Sequence, residues 1–209
     1  MIICRTPLRV SFVGGGSDLP SYYNRNCGSV LSMAINKYVY VSVNKSFSNK
    51  VRVAYSKVEE CSEFAQVSHP LVRNSAKLLG VLGGYELTST ADIPGTGTGL
   101  GSSSSFTVGL LNALSTYRGQ VLTKEELANL ACQVEIDMCE EPIGKQDQYA
   151  AAMGGLNTFK FFSDQSVETQ KLEMDPFYEH LVLGSMLVFY TGTTRSAASV
   201  LKEQNTDTL

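Results

Sequence analysis

The sequence predicts a mixed α+β / α/β fold of two layers, and three observations carry that reading. The first 57 residues are dense in strand signals. Two helical patterns follow in mid-chain, over 102–118 and from Thr123 onward. The chain then returns to extended patterning around Leu156 to Phe162. Period-two alternation marks half-buried strands, and apolar residues three and four apart mark a helix face.

Each element follows from its own pattern. MIICRTPLRV reads as a first strand, continued by Leu8-Arg9-Val10-Ser11-Phe12-Val13, which partly alternates. Ser29 to Ile35 is small and apolar, and Val39, Val41 and Val43 alternate with Tyr38, Tyr40 and Ser42. Val51 to Tyr55 is expected to pair back on these strands. Residues 58–84 look helical but poorly patterned, and stop at Gly83-Gly84. Tyr85 to Ile93 (YELTSTADI) reads as a polar strand. In the helix over 102–118, Phe106, Leu110, Leu111, Leu114 and Tyr117 define one apolar face.

The next helix has a marked start. Thr123-Lys124-Glu125-Glu126 is a capping box, in which the Thr hydroxyl and the Glu carboxylate each satisfy an exposed amide. Leu127, Leu130, Ala131, Val134 and Met138 form its apolar face, and Pro142 ends the run. A strand at Leu156 to Phe162, a polar connection and an apolar strand from Leu181 to Tyr190 are expected next. The final stretch, TGTTRSAASVLKEQNTDTL, begins a helical pattern and stops. It reads either as a C-terminal helix or as the entry into a second domain. No internal repeat is visible.

Composition bounds the class. A chain of 209 residues with 43% hydrophobic and 18% charged content suits a soluble globular protein of one domain, or one and a half. A net charge of -3 without a basic run argues against nucleic acid as a partner. No apolar stretch reaches membrane-spanning length, and the N-terminus is too short and polar for a signal peptide. Five cysteines at irregular spacings, with no CxxC pair, favour reduced thiols and a cytoplasmic location. Cys132 and Cys139 are expected in the core. His69 and His180, the two histidines, are not grouped as a zinc site would require.

The stretch most informative about chemistry is IPGTGTGLGSSSSF, Ile93 to Phe106. Its glycines allow positive φ and close approach of backbone to a ligand. The amides that open the following helix lack intrahelical partners and carry the positive end of the helix dipole. A strand, a glycine loop and a buried helix together make a phosphate cradle, although a Gly/Thr/Ser run by itself also reads as a flexible linker. The familiar nucleotide signatures are absent. Gly144-Lys145 is followed by Gln146, so no P-loop is present, and neither glycine cluster fits GxGxxG. Protein-kinase HRD and DFG motifs and a GxSxG elbow are also missing.

Three segments in order, RTPLRVSFVGGGSDLPSYY (Arg5 to Tyr23), IPGTGTGLGSSSS and EPIGKQDQYAAAMGG, resemble the GHMP family of small-molecule kinases. That family includes galactokinase, mevalonate kinase and homoserine kinase. RVSFVGGGSDLP, the triple glycine and GKQDQY look most like its sugar-1-kinase branch acting on D-glycero-D-manno-heptose 7-phosphate, which serves lipopolysaccharide, capsule or S-layer sugar synthesis. Fucokinase-like and galactokinase-like members share much of the pattern. The resemblance implies an N-terminal domain of ribosomal-protein-like fold with a left-handed βαβ unit. It also implies a ferredoxin-like C-terminal domain bearing a third glycine-rich motif, which does not occur before Leu209. The expected division is therefore 1–180 for the ATP-binding domain and 181–209 for the first elements of the second. A fragment of this kind leaves open a non-catalytic nucleotide- or sugar-binding role.

The resemblance also implies site roles. Gly97, Gly99, Leu100, Gly101, Ser102, Ser103 and Ser104 would cradle the ATP phosphates. Ser103 and Glu135 would hold Mg²⁺, for which hard oxygen ligands are suited. Asp147 matches the catalytic aspartate that takes the acceptor proton, and Arg9 matches the cation that faces it. Gly16, Ser17 and Asp18 match the turn that binds sugar hydroxyls. Lys145 and Arg195 are the local candidates for a sugar phosphate. By residue type alone, Asp147 also reads as a helix cap, Glu135 as a solvated helix carboxylate beside Asp137, and Arg9 as half of a surface ion pair. The expected partners are ATP and a small-molecule sugar (phosphate), with a homodimer left open and neither nucleic acid nor membrane.

Overall fold

The computed structural model describes residues 1–93, 98–187 and 189. Gly97, Arg195 and the helical pattern expected after residue 191 lie outside the described residues. Among the described residues, seven strands form one mixed sheet: β1 (Ile2–Val13), β2 (Gly28–Lys45), β3 (Val51–Ala54), β4 (Val58–Cys61), β5 (Tyr85–Ala91), β6 (Leu156–Phe161) and β7 (Val167–Lys171). The order is β4-β3-β5-β2-β6-β7, with β1 on the other edge of β2. The strand β2 is the hub. Its first half pairs with β6 and its second half with β5, both antiparallel, while β1 runs antiparallel along its length.

The two patterns expected at Ser29–Ile35 and Val39–Val43 are one strand with a break in register. Val30 and Ser32 face inward in the first half, and Val39, Val41 and Val43 in the second. Inward parity thus changes from even to odd across β2. The β1–β2 register is irregular between Pro7 and Arg9, opposite the stretch where that change occurs. A bulge re-aims side chains in this way, and here it falls immediately before Arg9.

Three expectations need correction. Val51 to Tyr55 does not pair with the first strands, because β5 already fills the free edge along the second half of β2; β3 instead pairs antiparallel with β4 and parallel with β5. Residues 58–84 are not one helical stretch. They hold β4, a 3₁₀ turn at Phe64–Gln66 and the helix α2 (Pro70–Leu78), which starts where Pro70 presets helical φ. The apolar strand expected over Leu181 to Tyr190 is preceded and overlapped by a helix, α6 (Pro176–Gly184). Asp175 accepts from the Phe177 amide at 2.9 Å and Pro176 opens the first turn, so local capping decides for helix. The expected division at 180 falls within α6, none of whose residues is buried. The polar strand β7 went unforeseen, because VETQK has no apolar face to signal it.

The remaining helices are α1 (Pro20–Tyr23), α3 (Ser102–Tyr117), α4 (Lys124–Cys132) and α5 (Gln146–Met153), with a π-helical turn at Gln133–Met138 extending α4. The capping box at Thr123 is formed as expected, and the run ends at Met138, before Pro142. The helix α3 is buried on nearly all sides rather than on one face, since it packs on β1 and β2 and is flanked by α2, α4 and α5. Its serines and threonines make this tolerable by bonding inward; Ser105 Oγ donates to the Pro7 carbonyl at 2.8 Å. The main core includes Leu8, Val41, Val43, Leu87, Leu110, Leu111 and Leu114. A smaller cluster holds Tyr23, Val30, Tyr149, Phe159 and Phe161. Among the described residues no helix is long and apolar enough to cross a membrane.

Candidate active site

The site begins with Arg9, which lies in β1 just after the irregularity and pairs with Ala34 of β2. Its backbone amide donates to the Leu100 carbonyl at 3.2 Å, and its side chain donates to the Gly99 carbonyl at 2.8 Å. Two further contacts, at 2.8 and 2.6 Å, reach Asp147 Oδ1 from Nε and Nη2. One guanidinium thus joins a carboxylate to the glycine loop. The planar fork of arginine, with several donors in fixed directions, suits such a double engagement. Side-chain exposure is 12% for Arg9 and 25% for Asp147, so the pair is partly shielded while remaining reachable.

The loop is shaped by glycine. Gly99 and Gly101 have φ of 69° and 73°, in the left-handed region. At Gly101 a Cβ would also lie 3.3 Å from Asp147 Oδ2 and 3.4 Å from Arg9 Cγ. Gly101 is the N-cap of α3 and supplies no side-chain cap, so the first turn, holding Ser103 and Ser104, keeps its capacity for an anion. Thr98 Oγ1 beside it is buried with no hydrogen-bond partner. These features fit the phosphates of a nucleotide.

Glu135 lies behind the loop, fully buried. The π-helical turn shifts its register inward from α4, a feature often found at functional sites. Its carboxylate accepts from Ser103 Oγ (2.7 Å), Ser104 Oγ (2.7 Å), Thr107 Oγ1 (3.2 Å) and Gln148 Nε2 (2.6 Å). Burial pushes its pKa up, and the serine and glutamine hydrogen bonds pull against that. Among the described residues no cationic side chain pairs with it. A buried carboxylate served only by neutral donors, and bonded to Ser103, offers the hard oxygens that Mg²⁺ takes. It is not a solvated helix carboxylate.

The turn after β1 is closely engaged with α5. Ser17 Oγ donates to the Gly14 carbonyl at 2.7 Å and accepts from the Ser29 amide at 3.0 Å. Asp18 is 2% exposed. Its Oδ1 accepts from the Gly16 amide at 3.1 Å and from Gln146 Nε2 at 3.2 Å, and its Oδ2 from the Gln146 amide at 3.1 Å. Ser11 Oγ donates to Gln146 Oε1 at 2.8 Å. Burial raises the Asp18 pKa, against the Gln146 amide bond. Gly144 is obligatory here, since a Cβ would fall 1.9 Å from Asp18 Oδ2.

Lys145 is directed to Gln165 and the Tyr23 ring. It borders a cavity of about 580 Å³ lined also by Asp18, Tyr23, Cys132, Asp137 and Gln165. Its ammonium donates to Gln165 O and Oε1 at 2.9 and 3.0 Å, over the Tyr23 ring, and burial lowers its pKa. The cavity includes neither Arg9 nor Asp147. The structure therefore brings Arg9, Asp147, Gly99, Leu100, Gly101, Ser103, Ser104 and Glu135 into one continuous array, with Ser102 opening the same helix. Gly16, Ser17 and Asp18 adjoin it through Gln146, and Lys145 stands apart.

Sequence reasoning missed Ser11, Gln146 and Gln148. Gln146 and Gln148 flank Asp147 in GKQDQY, and successive helical residues point about 100° apart. One therefore reaches Asp18 while the other reaches Glu135. Two polar amides bracketing a candidate base were the available signal.

Residues 65–155 match the GHMP kinases N terminal domain. The chain is 27% identical over 212 residues to D-glycero-alpha-D-manno-heptose 7-phosphate kinase of Campylobacter jejuni, covering 94% of this chain and 61% of that protein. It is 30% identical over 216 residues to galactokinase of Pyrococcus furiosus, covering 95% and 55%. A D-glycero-D-manno-heptose 1-phosphate kinase from Bacteroides thetaiotaomicron superposes with a TM-score of 0.85 at 28% identity, covering 100% of this chain and 72% of that one. The chain spans less than two thirds of the length of the two curated relatives. The mixed sheet, the glycine loop leading into a buried helix and these likenesses converge on the GHMP kinases, whose N-terminal domain matches residues 65–155 of this chain.

Proposed function

We propose that this chain is the ATP-binding part of a Mg²⁺-dependent sugar kinase that phosphorylates the anomeric hydroxyl of D-glycero-D-manno-heptose 7-phosphate, giving the 1,7-bisphosphate. One observation carries the reading: Arg9 bonds Asp147 and the Gly99 carbonyl together, so a carboxylate able to serve an acceptor hydroxyl lies against a phosphate-binding loop. The likeness to the C. jejuni protein supports the heptose phosphate as acceptor.

Phosphoryl transfer asks mainly for positioning and charge compensation. Asp147 Oδ2, the oxygen that Arg9 leaves free, takes the proton of the acceptor hydroxyl as the hydroxyl's own oxygen bonds to the γ-phosphorus. The bond from the γ-phosphorus to the bridging oxygen breaks and ADP departs. Arg9 offsets charge on the group in transit, and the amides of Ser103 and Ser104 hold the phosphates. Ser103 and Glu135 would hold Mg²⁺, which supplies charge neutralisation on the phosphate oxygens. The described sheet and helices α1 to α5 all fall within the expected 1–180 domain. Dependence on ATP and five free cysteines support a cytoplasmic setting.

A coupled assay of ADP release with the full-length protein tests the reading across heptose 7-phosphate, fucose and galactose. Turnover with heptose 7-phosphate, lost in Asp147→Asn while nucleotide still binds, is expected. Turnover with mevalonate or homoserine and none with any sugar would overturn it.

A further inference from the structure

We infer that Gln148 is a positioning residue: from α5 it fixes the Glu135 carboxylate in the orientation that meets Ser103, and so ties the metal-holding pair to the helix that carries Asp147. The inference rests on the Mg²⁺ role proposed above for Ser103 and Glu135. Three hydroxyls, those of Ser103, Ser104 and Thr107, reach Glu135 from α3. Gln148 Nε2 comes from α5 at 2.6 Å and shares Oε2 with Ser104. Oε1 is thereby left to Ser103 and Thr107. Hydroxyls rotate to follow a carboxylate that turns about its terminal bond, whereas a planar amide on a second helix takes that freedom away.

The amide itself argues for this role. Gln148 is 0% exposed, and its Oε1 is buried without a hydrogen-bond partner among the described residues. A buried carbonyl left unpaired is costly, and an apolar side chain of similar length would fill the space without that cost. What the amide supplies and an apolar chain cannot is the N–H to Glu135. The reverse amide orientation would set oxygen against oxygen there, so the unpaired Oε1 follows from serving the carboxylate. Asp147 precedes Gln148 on α5, and successive helical residues point about 100° apart. One turn of helix therefore meets Arg9 in one direction and Glu135 in another, which places the two carboxylates of the site relative to each other.

The test uses the full-length protein with a non-hydrolysable ATP analogue and no sugar, and Mn²⁺ is the probe, read by the electron spin resonance of the free ion. Gln148→Met keeps the length of the side chain and removes the donor. Its Mn²⁺ affinity is expected to fall about tenfold, while binding of the analogue in excess chelator stays within about twofold. Gln148→Asn keeps the amide but is one methylene too short to reach Glu135; it should lose metal affinity in the same way, and decides the matter if the methionine variant does not fold. Glu135→Gln should also weaken Mn²⁺ binding, and adding Gln148→Met to it should cost less than about twofold more, because both act through one carboxylate. A merely structural role would multiply the two losses. Mn²⁺ affinity in Gln148→Met within about twofold of wild type, or an equal loss of metal-free nucleotide binding, would overturn the assignment. If Glu135→Gln leaves Mn²⁺ binding unchanged, the Mg²⁺ reading falls and this inference with it; a loss there without one in Gln148→Met removes Gln148 alone.

Discussion

The ion pair between Arg9 and Asp147 permits a quantitative test that needs no substrate. Arg9→Met removes two contacts to Asp147 Oδ1 and one to the Gly99 carbonyl, keeping the aliphatic stem that packs near Gly101. Fully exposed pairs contribute roughly 0–1 kcal/mol, and breaking a fully buried one costs about 3–5 kcal/mol. With exposures of 12% and 25% this pair lies between those limits, so Arg9→Met is expected to cost about 2–3 kcal/mol. For a chain of this size that lowers Tm by roughly 4–12 °C. Asp147→Asn keeps an acceptor for the guanidinium and should cost about 1 kcal/mol. The double variant should then be less harmful than the sum, with a coupling of about 1–2 kcal/mol. The chain has ten tyrosines and no tryptophan, so urea unfolding is best followed by circular dichroism. A coupling below about 0.3 kcal/mol, the limit of additivity for independent sites, would refute the pairing.

Other perturbations probe the neighbouring geometry. Gly101→Ala places a Cβ at positive φ and against Asp147; a loss of about 1–2 kcal/mol from the backbone is expected, together with weaker nucleotide binding by calorimetry. Gly144→Ala drives a Cβ into the Asp18 carboxylate and should reduce stability by more than about 3 kcal/mol in urea unfolding, well beyond an ordinary surface substitution. Asp18 gives a pH test. Its pKa is raised in the fold, by burial and by the charge of Asp147, from an ordinary 3.8. The folded state therefore holds this proton more tightly, so its contribution to stability is greatest at low pH and is lost as pH rises from about 3.8 through the folded pKa. Asp18→Asn should flatten that slope, and an unchanged slope would remove Asp18 as its source. Among the thiols, burial raises the Cys132 pKa while Cys27 is exposed, so iodoacetamide should label Cys27 first in the native protein, as read by peptide mass mapping.

Much of the site was legible because its parts are short and chemically distinctive. The glycine-serine loop, Arg9 in RVSFVGGGSDLP and Asp147 in GKQDQY could each be picked out from residue type and order. Glu135 was legible only as a match, since nothing in QVEIDM distinguishes a buried carboxylate from an exposed one. Its burial depends on a π-helical turn and on hydroxyls contributed by α3. The two glutamines beside Asp147 were overlooked because glutamine is commonplace on helix surfaces. Their partners lie 128 and 13 positions away in the chain.

The sequence by itself determined the local events: the alternation in β1 and the second half of β2, the polar strand that became β5, the capping box at Thr123, the start of α3 after the glycine loop, and the residue types available for phosphate chemistry. These depend on neighbours within a few positions, where propensity and capping act directly. Tertiary structure alone decided which edge β3 would join, that α3 would be enclosed on nearly every side, and that Asp18 would meet the first amide of α5. Those outcomes depend on competition for sheet edges and on hydrogen-bond partners supplied from remote segments, which no local pattern encodes.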